Sequence, residues 1–133
     1  MAICYLGIGS NLGDRRKNIR LAIKKIDALK GTAVIKTSRL IETEPQGGPP
    51  NQGKYLNAAV RIRTDLSPRS LLSQLKNIEK ELGRTKTVRN GPRTIDLDIL
   101  FFGEKVINRR DLKVPHLKVF EREFVVRPLL EVI

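Results

Sequence analysis

Apolar and polar residues follow two different periods along this chain. Ala2 to Ile8 is a short apolar run, Thr32 to Thr43 carries β-branched residues throughout, and Tyr55 to Arg63 follows, so each is predicted to be a strand. Two other stretches repeat apolar residues at helical spacing. These residues are Ile19, Ala22, Ile23, Ile26 and Leu29 in the first stretch and Leu71, Leu72, Leu75, Ile78 and Leu82 in the second.

Polar caps and glycines mark the ends of the two predicted helices. Asp14 suits the N-cap or first turn of the first helix, and Ser67-Pro68 supplies an N-cap followed by proline at the first helical position. Gly31 and Gly83 are expected to end the helices. A further strand at Thr94–Phe102 completes the order βαββαβ. We therefore predict an α+β fold: a ferredoxin-like antiparallel sheet with helices on one face and an extra C-terminal segment covering part of the other.

The last predicted strand carries two acidic residues in an otherwise apolar run. Side chains alternate along a strand, so Asp96 and Asp98 share one face, with Cα atoms roughly 6.5–7 Å apart. Two carboxylates this close repel each other unless a cation neutralises them or one is protonated. They could lie on the solvated face of an edge strand. The alternative that we favour is a Mg²⁺ site, with Arg93 beside it to bind a phosphate group.

Two loops, one strand and one histidine offer further candidates for binding. Residues 44–53 form a loop rich in proline and glycine, and loops of this length in compact domains are often functional. Tyr55 and Asn57 share a strand face, where they could be a packing pair or could hold a flat heterocycle. Residues 84–90 could be a mobile surface loop or a cationic lid over phosphates. His116, the only histidine, could be a satisfied residue or a hydrogen-bond donor to phosphate.

Size and charge narrow the classes of partner. The 133 residues suffice for a core, so 1–133 is predicted to be a single domain. The net charge of +12 favours an anionic partner such as nucleic acid, a membrane surface or a polyphosphate metabolite. One cysteine, Cys4, excludes an intrachain disulfide, and no apolar run reaches the length of a membrane span. With no signal-peptide pattern, we expect a cytoplasmic protein that does not bind membranes.

Five separate stretches together resemble one enzyme family. They are LGIGSNLGD at 6–14, TEPQG at 43–47, YLNAAV at 55–60, GPRTIDLDIL at 91–100 and the spaced residues VPH, R, F and PLLE between 114 and 131. They run in order over nearly the whole chain, and GPRTIDLDIL is specific. The chain resembles the 6-hydroxymethyl-7,8-dihydropterin pyrophosphokinases, folate-pathway enzymes that move pyrophosphate from ATP to a pterin alcohol and release AMP.

The resemblance implies a role for each matching residue. Asp96 and Asp98 would bind two Mg²⁺ ions that bridge the phosphates of ATP, the co-substrate. The pterin would be held by Thr43, Pro45, Gln46, Tyr55, Asn57 and Phe124. ATP would be contacted by Lys76, Glu79, Lys86, Arg93, Ile99, His116 and Arg122. The implied catalytic set is Arg84, Arg93, Asp96 and Asp98.

Three positions depart from the pattern of the family. Asn90 stands where the family often has an aromatic residue, Lys86 where an arginine is common and Lys76 where there is a glutamine. The competing hypothesis is a basic ferredoxin-like module that binds nucleic acid. It requires exposed aromatic residues on the central strands, and the sequence pattern lacks them. We predict an enzyme that acts on small molecules as a monomer, with no nucleic-acid partner.

Overall fold

The structure of the chain, a computed structural model, describes residues 1–45, 48–84, 93–116 and 121–133. Within these ranges the chain forms seven strands and three helices. The strands are β1 (Ala2–Ser10), β2 (Thr32–Thr37), β3 (Ile41–Thr43), β4 (Tyr55–Thr64), β5 (Asp96–Phe102), β6 (Ile107–Asn108) and β7 (Lys113–Val114). The helices are α1 (Arg15–Asp27), α2 (Pro68–Glu81) and α3 (Glu123–Val132).

β1 lies inside an antiparallel sheet whose strand order is β2-β4-β1-β5. It pairs with β4 along its whole length, from Ala2 opposite Thr64 to Ser10 opposite Leu56. Its other edge pairs with β5. β2 and β3 both pair with β4, while β6 and β7 form a separate two-stranded sheet. The prediction of helices with an antiparallel sheet is confirmed.

Side-chain caps start the first two helices as their sequences indicate. Asp14 Oδ1 accepts the N–H of Lys17 at 3.1 Å. Ser67 Oγ accepts the N–H of Ser70 at 3.1 Å, and Pro68 follows at the first helical position. The predicted end of α1 at Gly31 was wrong, because the helix ends at Asp27. Gly31 instead adopts φ +69° in the turn to β2.

An apolar layer lies on each face of the sheet. The larger layer joins alternate residues of β1, β4 and β5 to α1 and α2, and its fully buried members include Leu6, Val60, Ile62, Ile19, Ile26, Leu71 and Leu75. The smaller layer packs Leu129 and Val132 of α3 against Ala59 and Leu100. α1 and α2 therefore cover one face of the sheet, and α3 covers part of the other.

Three predictions about elements were wrong. Thr32–Thr43 is two strands, because Ser38 interrupts it: Ser38 Oγ accepts the N–H of Ala59 at 2.8 Å in place of a backbone carbonyl. The acidic strand begins at Asp96 rather than Thr94. α3 was not predicted, since Pro128 lies inside it and proline lacks an N–H for helical bonding. Burial of Leu129 and Val132 holds this helix on the sheet in spite of the proline.

Candidate active site

A pocket opens on the sheet face that α3 partly covers. Its lining comes from β1, β3, β4 and β5, from residue 116 and from the start of α3. Nine of the predicted site residues line it: Thr43, Tyr55, Asn57, Arg93, Asp96, Asp98, His116, Arg122 and Phe124. The structure thus brings together residues that are far apart in sequence, while their individual roles stay predictions.

β5 presents its two aspartates to this pocket. Leu97 and Ile99 pack into the larger apolar layer, so Asp96 and Asp98 face the opposite way, as the alternation predicted. In the pairing with β1, Asp96 lies opposite Gly9 and Asp98 opposite Gly7. Because glycine has no side chain, β1 leaves space beside both carboxylates.

Two arginines bind the carboxylate of Asp96. Arg84 Nη1 lies 3.1 Å and Arg93 Nη1 3.3 Å from the same oxygen, Oδ1. The three side chains are only 25–27% exposed, so water screens these ion pairs less than pairs on the open surface. Asp96 is therefore neutralised by protein groups in the free protein.

Glu79 is buried beneath Arg84. Its side chain is 10% exposed, and Oε2 accepts both Arg84 Nη1 at 2.5 Å and the N–H of Leu97 at 2.9 Å. Burial raises the pKa of Glu79, while the Leu97 N–H and the Arg84 charge oppose that shift. Glu79 does not belong to the pocket lining. In the free protein, Glu79 holds Arg84 against β5.

Asp98 has no counter-ion of its own among the described residues. Both arginine ion pairs go to Asp96, and no other described residue donates a hydrogen bond to the Asp98 carboxylate. Burial, followed by the negative charges of Asp96 and Glu79, raises the pKa of Asp98 to about 7. Asp98 is therefore the carboxylate that still needs a cation.

The donors at this end of the pocket fit Mg²⁺. Carboxylate oxygen is the ligand that this hard cation prefers, and it typically takes one or two carboxylates with water and phosphate at its other positions. The described residues hold no group of three His, Cys, Asp or Glu side chains arranged for a metal. A site built from Asp96 and Asp98 would accordingly be completed by water and substrate. The unneutralised charge of Asp98 supports this fit.

The same pocket also presents an amide and an aromatic ring. Asn57 is 6% exposed, and its Nδ2 donates to Thr43 Oγ1 at 2.7 Å, which fixes the amide. Tyr55 lies on the same strand face, and burial raises the pKa of its hydroxyl. A Cβ at Gly9 would lie 3.2 Å from Asn57 Oδ1 and 3.4 Å from the Tyr55 ring. Only glycine at position 9 lets these groups approach β1 so closely.

Three residues near the start of α3 complete the wall. The Arg122 guanidinium lies 5.6 Å from the centroid of the Phe124 ring, a cation–π arrangement. The backbone N–H of His116 donates to Leu100 O at 3.0 Å, which ties the segment after β7 to β5. Burial, with the positive charge of Arg122, lowers the pKa of His116, so its ring is neutral at pH 7.

The other predicted site residues lie apart from this lining. Ile99 is 4% exposed and packs in the larger apolar layer, so its side chain points away from the pocket. Lys76 is exposed on α2, and Pro45 is half-buried just after β3. Gln46 and Lys86, together with the departure at Asn90, fall outside the described residues.

Sequence reasoning missed the part played by Asn11. This residue is 6% exposed, and its Nδ2 donates to Gln52 Oε1 at 3.0 Å and to Gly53 O at 3.1 Å. Its Oδ1 accepts the N–H of Arg93 at 2.8 Å. Asn11 thus links the loop before β4 to the arginine that holds Asp96. The available signal was its place in the stretch LGIGSNLGD, one of the five that carry the family resemblance.

Paired carboxylates, two arginines, an amide and an aromatic ring in one place are typical of a site of the phosphoryl-transfer class, in which the protein chiefly positions substrates and neutralises charge. Comparison with known proteins specifies the family. The chain belongs to the 7,8-dihydro-6-hydroxymethylpterin-pyrophosphokinase (HPPK) family, whose model matches residues 5–133. It is accordingly a pyrophosphokinase of folate biosynthesis, and the competing hypothesis of a nucleic-acid-binding module gains no support.

Named relatives agree with the family match. The chain is 45% identical over 130 residues to the 2-amino-4-hydroxy-6-hydroxymethyldihydropteridine pyrophosphokinase of Bacillus subtilis and 41% identical over 132 residues to that of Haemophilus influenzae. These matches cover 98% and 99% of the chain, and 77% and 82% of the two relatives. It is also 48% identical over 128 residues to the folic acid synthesis protein fol1 of Pneumocystis carinii; that match covers 96% of the chain but only 17% of fol1.

A solved structure supports the fold. The crystal structure of an HPPK-DHPS in complex with substrates matches the whole chain and 42% of its own chain, with a TM-score of 0.75 at 16% identity. At that identity the likeness speaks for the fold alone. In the described ranges, none of the helices has the length and apolar character needed to cross a membrane.

Proposed function

We propose that the chain transfers a pyrophosphoryl group from ATP, with Mg²⁺, to the hydroxymethyl oxygen of 6-hydroxymethyl-7,8-dihydropterin, releasing AMP. The observation that carries the proposal is that Asp96 and Asp98 share one pocket with Tyr55 and Asn57. A polyphosphate with its cation and a flat, amide-edged ring would then meet between the two ends of that pocket.

The pterin would bind at the Asn57 end. The fixed amide of Asn57, bonded to Thr43, offers hydrogen bonds to the edge of the ring. Tyr55 and Phe124 provide aromatic surfaces in the same pocket. The hydroxymethyl group of a ring held there would point along the sheet face toward the carboxylates of β5.

The nucleotide would bind at the other end, where the protein supplies positive charge. Arg84 and Arg93 already converge on Asp96 and can turn to phosphate oxygens, which guanidinium groups bind in a planar fork. Arg122 and neutral His116 line the same pocket and can add a cation and a hydrogen-bond donor. In-line attack on the β-phosphorus then needs little from the protein beyond alignment and stabilisation of charge.

Asp96 and Asp98 would hold the metal, which when bound polarises phosphoryl oxygens and stabilises developing negative charge. Two ions are proposed, as in our sequence-based expectation. The carboxylates orient what they bind because Asp96 is held in place by two arginines and Asp98 lies in a buried strand. Exclusion of water by the segments 44–53 and 84–90 would suppress hydrolysis of ATP.

The decisive experiment measures AMP release from ATP in the presence of Mg²⁺ and the reduced pterin alcohol. Asp96→Ala and Asp98→Ala should each lower turnover at least about a hundredfold, because a charge-stabilising group of the transition state is lost. Asp111→Ala is the matched control, since Asp111 pairs with Arg69 outside the pocket. Near-normal turnover in either pocket variant would contradict the metal assignment, and no AMP from the unaltered protein would contradict the function.

Finer points of the sequence analysis belong to the same proposal. The strand order β2-β4-β1-β5, with two helices on one face, supports a ferredoxin-like arrangement. A single domain that works as a cytoplasmic monomer without nucleic acid stays a prediction. Sedimentation of the purified protein with and without ATP would test the monomer.

A further inference from the structure

Three cations lie close together on the sheet face that α3 partly covers, outside the pocket lining. Arg61 and Arg63 alternate along β4 with Val60 and Ile62 of the larger apolar layer, so both point to the face that α3 partly covers. Lys36 of β2 is the register partner of Arg61, just after a register shift between Val34 and Lys36. We call Lys36, Arg61 and Arg63 the distal cationic cluster.

The distal cationic cluster lacks counter-ions in the described part of the chain. All ion pairs among the described residues are made by cations outside the cluster: the N-terminus, Arg15, Lys25, Arg39, Lys54, Arg69, Arg84, Arg93 and Arg127. Arg61 is half-buried, and its Nε is enclosed without any hydrogen-bond acceptor. Among the described residues no carboxylate pairs with the Arg61 guanidinium, so an anion would reach it from the solvent side.

The backbone holds these charges close together. Residues directly opposite in an antiparallel pair have Cβ atoms about 4.5–5.5 Å apart, and like charges at such positions destabilise the pair. Arg61 and Arg63 are two residues apart on one strand, roughly 6.5–7 Å at Cα. Cationic side chains on an exposed helix can move apart into the solvent. The half-buried guanidinium of Arg61, held beside Lys36, cannot. Such an arrangement is relieved when an anion bridges the three groups.

We propose that the distal cationic cluster binds a phosphate-bearing anion with more than one negative charge. Guanidinium groups match the geometry of phosphate oxygens, and a second arginine and a lysine accommodate a second charge. Free pyrophosphate and the backbone of a nucleic acid are two sources of this chemistry. The site differs from the pocket, because none of its three residues lines that pocket. Ala59, two residues before Arg61 on the same strand face, does line the pocket and packs against Leu129 and Val132 of α3.

The test observes Arg61 itself. In protein labelled with ¹⁵N-arginine, the Nε–Hε signal of Arg61, assigned by its loss in Arg61→Gln, is followed at constant ionic strength and in EDTA. The two probes are sodium pyrophosphate and a single-stranded oligonucleotide of about twelve nucleotides, a length in the range that one binding domain covers. A saturable shift with either probe is expected, and the probe with the lower Kd identifies the source. No shift, or a shift that never saturates, would overturn the proposal.

Matched variants separate a site from general surface charge. Arg63→Gln and Lys36→Gln keep the Arg61 signal and should each weaken the binding about tenfold, the size of one charge-assisted hydrogen bond. Arg20→Gln removes an exposed cation from α1 and should leave the Kd unchanged. Equal weakening in all three variants would show nonspecific attraction and refute the site. Arg61→Gln should not lower the urea midpoint in anion-free buffer; a clear fall would show that Arg61 has a structural partner instead.

Discussion

Replacing Asp98 by asparagine should stabilise the metal-free protein at neutral and alkaline pH. Asp98 is a carboxyl in a buried strand, beside Asp96 and above Glu79, and no described group pairs with it. Asparagine has nearly the same shape but no charge. The substitution therefore removes the electrostatic cost of the ionised carboxylate and leaves the packing of β5 unchanged.

The magnitude follows from the pKa of Asp98, which is raised from 3.8 to about 7 in the folded protein. Between these values the folded state holds a proton that the unfolded state has released, so the free energy of unfolding falls as pH rises. Each pH unit in that window changes the free energy by about 1.4 kcal/mol. From pH 5 to pH 7 the unaltered protein should thus lose roughly 2 kcal/mol relative to Asp98→Asn, and the loss should level off at about pH 8, because half of the Asp98 carboxyls are still protonated at pH 7.

Urea denaturation in EDTA at half-unit steps from pH 5 to 8.5 measures this difference. Asp111→Asn is a control of opposite sign, because the hydrogen bond from Arg69 lowers the pKa of Asp111. Because the pKa of Asp111 is lowered in the folded state, its ionised carboxylate stabilises the protein at pH values above its unfolded-state pKa. The Asp111→Asn variant should therefore show no increase in the free energy of unfolding at pH 8. A constant difference between Asp98→Asn and the unaltered protein across the whole range would refute the reasoning. A variant that is less stable at pH 8 would refute it too.

Three further predictions concern ligands. Below pH 7, Mg²⁺ must displace the proton of Asp98. Calorimetry should therefore show that the affinity for Mg²⁺ rises up to tenfold per pH unit below pH 7 and levels off above it. Asn57→Ala should weaken pterin binding far more than ATP binding, because the amide lies at one end of the pocket; equal losses in calorimetry would contradict this. Glu79→Gln keeps the bond from Leu97 but weakens the hold on Arg84, so kcat should fall several-fold with little change in pterin Kd. An unchanged kcat would exclude that positioning role.

Local signals predicted the parts of the fold that short-range chemistry decides. Asp14 and Ser67 cap helices because a side-chain oxygen beside free N–H groups acts within one turn of chain. The orientation of Asp96 and Asp98 needed only the alternation of a strand. α3 was missed because its stability comes from contacts of Leu129 and Val132 with the sheet, which no local pattern around Pro128 reveals.

The site shows the same division between local and long-range information. Tyr55 and Asn57 could be placed on one face from their spacing, and the resemblance supplied which residues would join them. Glu79 was expected to contact ATP, but its position depends on how α2 packs against β5, and this packing buries it beneath Arg84. Asn11 was overlooked for a similar reason, since its partners at Gln52 and Arg93 lie 41 and 82 residues away.

The charges around β5 explain why metal and nucleotide belong together in this site. Three carboxylates, Glu79, Asp96 and Asp98, face two guanidinium groups, Arg84 and Arg93, which leaves one negative charge in excess. In the free protein a proton on Asp98 removes that excess below about pH 7. The two Mg²⁺ ions of the proposed function, in place of that proton, would leave an excess of positive charge at the site. A polyanion such as the phosphate chain of ATP would offset this excess, so metal and nucleotide should each raise the affinity for the other.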